Sequence, residues 1–463
     1  MFALALTLGL YSYTIFFLGV LHLLTKTNII LVTIPLALWL FNKLKNLSFK
    51  LPEDKLSKIL LSLLITQLLV NLVGALGPEI GFDALWYHLT LPKIWLQRGE
   101  MIFIPGAQFK YSVMPMLTEM FYFIFPGKLI HYLFGVLTLI VTYKLSRSLL
   151  AVLILSANLV FGWQQTSAYI DLSRAFFEIM ALYMFTQNKI YKSAVMLGLA
   201  ASTKLLALTS LPIFWLLLWF KEKSFKPLIR YTLYVILVLS PWLLRAYYHT
   251  SNPFYPFFSS LYTDTHISLD PRNLLNLLTH AVDPIHPIYL VSLLLIPTLK
   301  IKNHKLKIII LYSLLSLIIW ILTPNTGGGR FILPYLPALS IVAASIASKH
   351  KALIVFCILY SVFSISYRFA ANLKYLQPKE KLLASKLAFD FGDYYDFDHF
   401  FKDTDKVLPI GINNLFYLNA YIATPSGNLD YLLVRGQLPT EYKEWKLVSQ
   451  NDITKTGIYE RPN

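Results

Sequence analysis

Asp83 is an acidic residue in an unusual setting. It lies in Gly77-Pro-Glu-Ile-Gly-Phe-Asp-Ala-Leu-Trp-Tyr-His, a segment that follows an apolar run directly yet carries Glu79, Asp83 and His88 among aromatic rings. A carboxylate there could simply cap the amphipathic helix outlined by Leu85, Trp86, Leu89, Ile94 and Leu96, or belong to a functional site. A second acid, Asp171, follows Gly162-Trp-Gln-Gln-Thr-Ser-Ala-Tyr at the start of another apolar run. Arg174 and Glu178 share its helical face. Ionisable residues inside a span are costly and point to function, although Arg174 and Glu178 could also neutralise each other and fix helix packing. Four cations, Lys110, Lys204, Arg245 and Arg330, stand in loops or at run ends where basic residues are otherwise scarce. Such a set suits an anionic partner such as a lipid phosphate; snorkelling to headgroups is the structural alternative. Gly327-Gly-Gly before Arg330 lets the backbone approach a ligand but is too short for a nucleotide-binding fingerprint. His280, Asp283 and His286 form only a weak cluster, so no metal is expected. No nucleophile elbow or Walker-type loop is present.

The elements that must position these residues are membrane spans. Of 463 residues, 56% are hydrophobic, 15% aromatic and only 14% charged, which excludes disorder and an ordinary soluble enzyme. About thirteen apolar segments recur, at approximately 2–24, 28–42, 56–76, 128–144, 149–163, 168–186, 190–203, 204–220, 228–247, 285–299, 308–323, 331–348 and 352–369. The first lacks a basic leader and reads as a span rather than a signal peptide. The single cysteine, Cys357, lies in an apolar run, so no disulfide framework exists.

The net charge of +17 does not call for a nucleic acid. The tail from Ala370 holds 11 basic and 12 acidic residues, and the rest holds 30 basic against 12 acidic. The excess falls on alternate loops: Lys43, Lys45, Lys50, Lys55 and Lys58; Lys144 and Arg147; Lys189 and Lys192; Lys221, Lys223, Lys226 and Arg230; Lys300, Lys302, Lys305 and Lys307; Lys349 and Lys351. The positive-inside rule puts those loops and the N-terminus in the cytoplasm. Three regions then face the exoplasm: 77–127, roughly 246–284, and the tail 370–463. Within the tail, Tyr431–Arg435, Trp445–Ser449 and Gly457–Arg461 alternate like strands between turns, predicting a small α/β or mostly β domain.

An ordered series of short motifs resembles the GT-C-fold integral membrane glycosyltransferases, the protein mannosyltransferase-like and aminoarabinose transferase-like enzymes. It comprises Asp83-Ala-Leu-Trp-Tyr-His-Leu-Thr-Leu-Pro-Lys with Gly99, Tyr111 and Pro115; Ala168-Tyr-Ile-Asp171; and Ala201-Ser-Thr-Lys204. It continues with Ser240-Pro-Trp-Leu-Leu-Arg245, Asn252-Pro-Phe-Tyr-Pro and Arg330-Phe-Ile-Leu-Pro, and so covers most of 60–350. The resemblance implies an all-α polytopic protein of about 11–13 transmembrane helices (1–369) with a small exoplasmic C-terminal domain (370–463). It implies transfer of a sugar from a polyprenyl-phosphate carrier to a hydroxyl of a lipid, glycan or protein at the exoplasmic face of the plasma (inner) membrane.

In that family the first-loop acid is the general base, a role that falls on Asp83. Asp171, with Tyr87, His88 and Glu79, would shape the acceptor or donor pocket. Lys110, Lys204, Arg245 and Arg330 are the positions for the carrier phosphate. Two departures stand out: Ala84 replaces a second adjacent acid, and Lys110-Tyr-Ser-Val-Met-Pro lacks the usual proline pair. No cofactor is expected. A transporter or flippase of a lipid-linked saccharide is the alternative, although no inverted repeat supports it; an O-antigen ligase or polymerase would need a larger late loop.

Overall fold

Apolar run length dictates the first layer of structure: each predicted segment forms a helix or a pair of helical pieces. The computed structural model describes all residues except 46–50, 107, 263–269, 271, 280–283, 300, 324–327, 385–396, 398, 426, 452–453 and 463. Expectations placed on Lys50, His280, Asp283, Lys300 and Gly327 therefore lie outside the described residues. The helices begin with α1 (Phe2–Val20), α2 (Lys26–Lys45) and α3 (Lys55–Leu76), followed by α4 (Thr90–Arg98) in the long first loop. Next come α5 (Gly127–Ser146), α6 (Leu149–Ser156), α7 (Leu159–Gln164), α8 (Asp171–Thr186) and α9 (Ile190–Thr203). After these run α10 (Leu211–Glu222), α11 (Lys226–Thr250), α12 (Arg272–Thr279), α13 (Ile288–Leu295) and α14 (His304–Ile321). The series closes with α15 (Gly329–Ile332), α16 (Leu336–Ala347), α17 (Lys351–Asn372) and α18 (Lys379–Ala384).

Among the described residues, eight helical stretches are long and apolar enough to cross a bilayer. The protein is thus a multi-pass integral membrane protein. Leu38, Leu69, Leu237 and Leu359 are each more than half exposed, an arrangement that suits lipid rather than water. Segments 149–163, 168–186, 190–203 and 285–299 form shorter helices, whereas 28–42 lies in the twenty-residue α2, most of which is exposed. Segment 149–163 divides at Ala157–Asn158 into α6 and α7. There the Asn158 amide donates to the carbonyls of Ile154 (2.8 Å) and Leu155 (2.9 Å) and accepts the His286 backbone N–H (2.8 Å). Side-chain bonds of this kind make a helix break tolerable at membrane depth.

Helix α8 is the central element: of its sixteen residues only Tyr183 is not buried. It packs on α9 and α5, and α9 packs on α11. Lipid tails are as apolar as leucine, so close packing must hold such helices together. Gly198 of α9 shows this, because a Cβ there would stand 2.6 Å from the Val238 side chain of α11.

The tail folds into a mixed sheet of β1 (Lys406–Ile410), β2 (Tyr421–Ile422), β3 (Tyr431–Arg435), β4 (Lys446–Gln450) and β5 (Thr456–Glu460), in the order β2-β1-β3-β5-β4. Strand β1 runs parallel to β2 and β3, whereas β5 is antiparallel to β3 and β4. This sheet domain sits on the first loop. Lys93 Nζ donates to the carbonyls of Phe416 (2.9 Å) and Leu418, and Gln97 bonds Ala420 O (2.9 Å) and Ile422 N (3.3 Å). The amphipathic segment predicted from Asp83 to Gln97 is a π-helical turn, Ala84–His88, followed by α4, whose Lys93 and Gln97 face the sheet domain.

Candidate active site

Four chain-distant residues meet at the helix ends opposite the lysine-rich loops. Asp171 opens α8, where a carboxylate gains from the exposed N–H groups and dipole of the first turn. That turn is held from outside by His131, which bonds Ser167 O through Nδ1 (2.8 Å) and accepts the Leu172 N–H at Nε2 (2.8 Å). Lys204 is the extended residue that ends α9. Arg330 lies in the first turn of α15, just after Gly328, whose φ of +51° is readily adopted only by glycine. Asp83 precedes the π-helical turn and makes no capping bond there. The capping alternative is not what the structure shows; Asp83 turns to Arg330.

The Arg330 guanidinium divides itself between two acids. Its Nη1 is 2.8 Å from Asp83 Oδ2, and its Nη2 and Nε are 3.1 and 3.2 Å from Asp171 Oδ2. Lys204 Nζ lies 2.7 Å from Asp171 Oδ1. Two acids and two bases balance in formal charge, but their access differs. The Asp171 side chain is 1% exposed, whereas Asp83 is 22%, Lys204 18% and Arg330 15%. Asp171 therefore anchors the cations, and Asp83 is the carboxylate a ligand can reach. Rings wall the site: Tyr169 lies 4.3 Å and Trp163 5.9 Å from the guanidinium, and Phe331 lies 5.0 Å from Lys204 Nζ. In such low-dielectric surroundings charge–charge contacts are worth more than in water.

The expected pocket residues divide into wall and support. Tyr87 stacks between His88 (4.1 Å) and Tyr111 (4.5 Å). Burial, then the nearby Asp83 charge, holds its phenol well above the usual value, so it remains a neutral hydrogen-bonding group. His88 is buried behind it, with Nδ1 2.7 Å from Glu119 Oε1. Burial pushes His88 well below the ordinary imidazole value and Glu119 well above the carboxylate value. Burial thus disfavours charge on both partners of this hydrogen bond. Glu79 is a staple rather than a wall. Its carboxylate accepts the N–H groups of Ile80 (2.8 Å), Gly81 (2.7 Å) and Ala168, tying the loop start to the approach of α8.

Two cations stand elsewhere. Arg245 donates to the carbonyls of Ser112 (2.8 Å), Met101 (2.9 Å) and Ile102 (3.2 Å), fastening the end of α11 to the first loop. Lys110 Nζ bonds Leu261 O (3.2 Å) between the rings of Tyr111 and Tyr262, at the margin of the aromatic wall. Arg174 and Glu178 pair at 2.6 Å as expected, but Asp171 does not join them. His286 is buried, accepts the Ile288 N–H at Nδ1 (3.0 Å) and stacks on Tyr360. Among the described residues no group of three or more His, Cys, Asp or Glu could hold a metal ion.

Sequence reasoning missed Tyr169, His131 and Glu119. The first two had a signal: Tyr169 stands two residues before Asp171, and His131 interrupts an apolar run. Glu119 had none.

The chain thus joins an all-helical multi-pass domain, with an ion-paired tetrad at one end, to a small sheet domain docked on its first loop, and its likeness to solved structures shows this to be a GT-C fold. No protein-family model and no curated protein sequence matches this chain. Among solved structures it is similar to ArnT from Cupriavidus metallidurans in the apo state, with a TM-score of 0.60, 11% identity, and coverage of 87% of this chain and 99% of that one. The same ArnT bound to undecaprenyl phosphate gives a TM-score of 0.54 at 11% identity and the same coverage. At that identity the likeness is one of fold.

Proposed function

We propose that this protein is a glycosyltransferase that moves a sugar from a polyprenyl-phosphate carrier to an acceptor hydroxyl. The carrying observation is the meeting of Asp83, Asp171, Lys204 and Arg330, drawn from four separate elements, in one partly open site. That the structurally similar ArnT binds undecaprenyl phosphate supports a lipid-phosphate donor. The carrier phosphate engages Lys204 and Arg330, which draws Arg330 away from Asp83. The released Asp83 carboxylate accepts the proton of the acceptor hydroxyl as its oxygen attacks the anomeric carbon. The bond from that carbon to the phosphate oxygen breaks, the phosphate leaves with the electron pair, and the two cations stabilise its charge. One displacement inverts the anomeric configuration. Arg245 and Lys110 take no part in this scheme, because both are engaged by backbone carbonyls. The site faces the exoplasm, the lysine-rich loops and N-terminus face the cytoplasm, and the membrane is the plasma (inner) membrane.

The test uses purified protein in detergent with a polyprenyl-phosphate sugar and no gradient. Native protein should turn the donor over, and Asp83→Asn should lower transfer roughly a hundred- to ten-thousand-fold with unfolding temperature maintained. Unaltered turnover in that variant removes Asp83 as the base, and a product of retained configuration removes the single displacement. Saccharide movement that needs a gradient, without bond cleavage, favours the transporter alternative.

A further inference from the structure

Outside the tetrad, one cleft combines open volume, fold topology and a physical link to Asp83. It encloses about 230 Å³ between the first loop and the sheet domain. Its domain side is formed where the parallel strands end: Ile410 and Gly411 at the end of β1, Thr424 and Pro425 after β2, and Pro439, Glu441 and Tyr442 after β3. From β1 the chain turns to β2 on one side of the sheet, and from β3 it continues to β4 on the other. The carboxyl ends of parallel strands at such a reversal leave a crevice between diverging connections, the usual place for a ligand in an open α/β sheet. The crevice is preformed. Gly411 has φ +70°, and a Cβ there would stand 2.4 Å from Arg435 O, so the ends of β1 and β3 meet backbone to backbone.

The opposite wall is the catalytic loop. Gln108 lines the cleft, its carbonyl accepts the Trp86 indole N–H (2.6 Å), and its side chain donates to Ile412 O. Trp86 packs on Phe82 (5.5 Å), Tyr87 (5.5 Å) and Tyr111 (5.3 Å), the aromatic wall beside Asp83. A single indole thus joins the cleft to the candidate base. The floor is apolar, with Ile94 and Phe109, and the outer lip carries the exposed Glu441 carboxylate and the half-buried Tyr442 ring. Apolar surface under a rim of a few polar groups suits a sugar ring, whose C–H faces stack while its hydroxyls bond at the edge.

We propose that this cleft binds the saccharide portion of the acceptor and presents it to Asp83, an inference that rests on the glycosyltransferase reading. The test is direct binding to the full-length protein in detergent, by saturation-transfer NMR with maltohexaose, cellohexaose and chitohexaose as probes. At least one should bind the native protein. Tyr442→Ala and Glu441→Ala should each weaken that binding about tenfold, Glu441→Gln should restore most of it, and Asp83→Asn and Lys443→Ala should leave it unchanged. Binding of none of the three probes, or binding indifferent to both cleft variants, overturns the proposal. Because binding is read without turnover, the two readings separate. If Asp83→Asn retains full transfer while the cleft variants lose the probe, the catalytic scheme falls and the cleft stands; the reverse pattern spares the scheme and removes the cleft.

Discussion

Arg330 holds two carboxylates of unequal exposure, and that asymmetry sets what each substitution should do. Asp171 is the buried partner of both cations. Asp171→Asn leaves two partly buried positive groups without their shared counter-charge, so a loss of about 3–5 kcal/mol in unfolding free energy is expected. Denaturant unfolding of the detergent-solubilised protein checks this. Arg330→Lys keeps the charge but loses the planar fork that reaches both acids. Donor turnover should drop about a hundredfold with stability less affected, and an Arg330→Lys enzyme of native turnover would show that a point charge suffices.

Residue-scale pH behaviour follows from His88 and Glu119. The raised Glu119 value means the folded protein holds that proton more tightly than the unfolded chain. Its contribution is complete below the usual glutamate value and fades as pH rises through the raised one. The lowered His88 value works in the opposite direction: its contribution is complete above the usual imidazole value and fades as pH falls through the lowered one. Glu119→Gln keeps a hydrogen-bonding group beside Nδ1 and removes the alkaline loss. The unfolding temperature of that variant should fall less as pH rises above the usual glutamate value than that of the native protein; parallel curves would show that Glu119 does not contribute in this way.

At the scale of elements, α4 is the coupling piece between the membrane domain and the sheet domain. Lys93→Met would leave the carbonyls of Phe416 and Leu418 without that donor. A cost of about 1–3 kcal/mol should appear as faster amide exchange across 412–420, with α8 and α9 unchanged. The elements also show what sequence reveals. Asp171, Lys204 and Arg330 were legible because each interrupts apolar composition at a run end, where a charge is costly without a purpose, and Asp83 because it stands among aromatic rings at the start of an amphipathic segment. Arg245 was equally conspicuous, yet its donors go to backbone carbonyls, and spacing cannot distinguish a cation meant for the chain from one meant for a ligand. The tail tells the same story. Strands β3, β4 and β5, joined by antiparallel pairings, were readable within a residue or two, whereas β1 (Lys-Val-Leu-Pro-Ile), paired only with parallel neighbours, carries a proline within an apolar run, and β2 is too short for any period. The split of α6 from α7 was hidden because it depends on Asn158 meeting His286, a residue distant in sequence that precedes α13.

For the whole molecule, the proposed chemistry depends on which end of the bundle meets which compartment. The basic residues alternate in sequence, and the helices carry that alternation into space. Lys58 stands near the start of α3 and Lys144 near the end of α5, whereas Asp171, Lys204 and Arg330 occupy the other ends of α8, α9 and α15. The sheet domain adjoins the same end as the tetrad through α4. If charge bias fixes insertion, the lysine end is cytoplasmic and everything on the tetrad side is outside. Cys357 is the only cysteine and is buried, so a Cys357→Ser background allows single reporters. Glu441→Cys, on the lip of the cleft, should react with a membrane-impermeant maleimide on intact cells. Lys223→Cys, between α10 and α11, should react only after permeabilisation. The opposite labelling pattern would place Asp83 in the cytosol, where a carrier-linked sugar presented to the outer leaflet could not reach it.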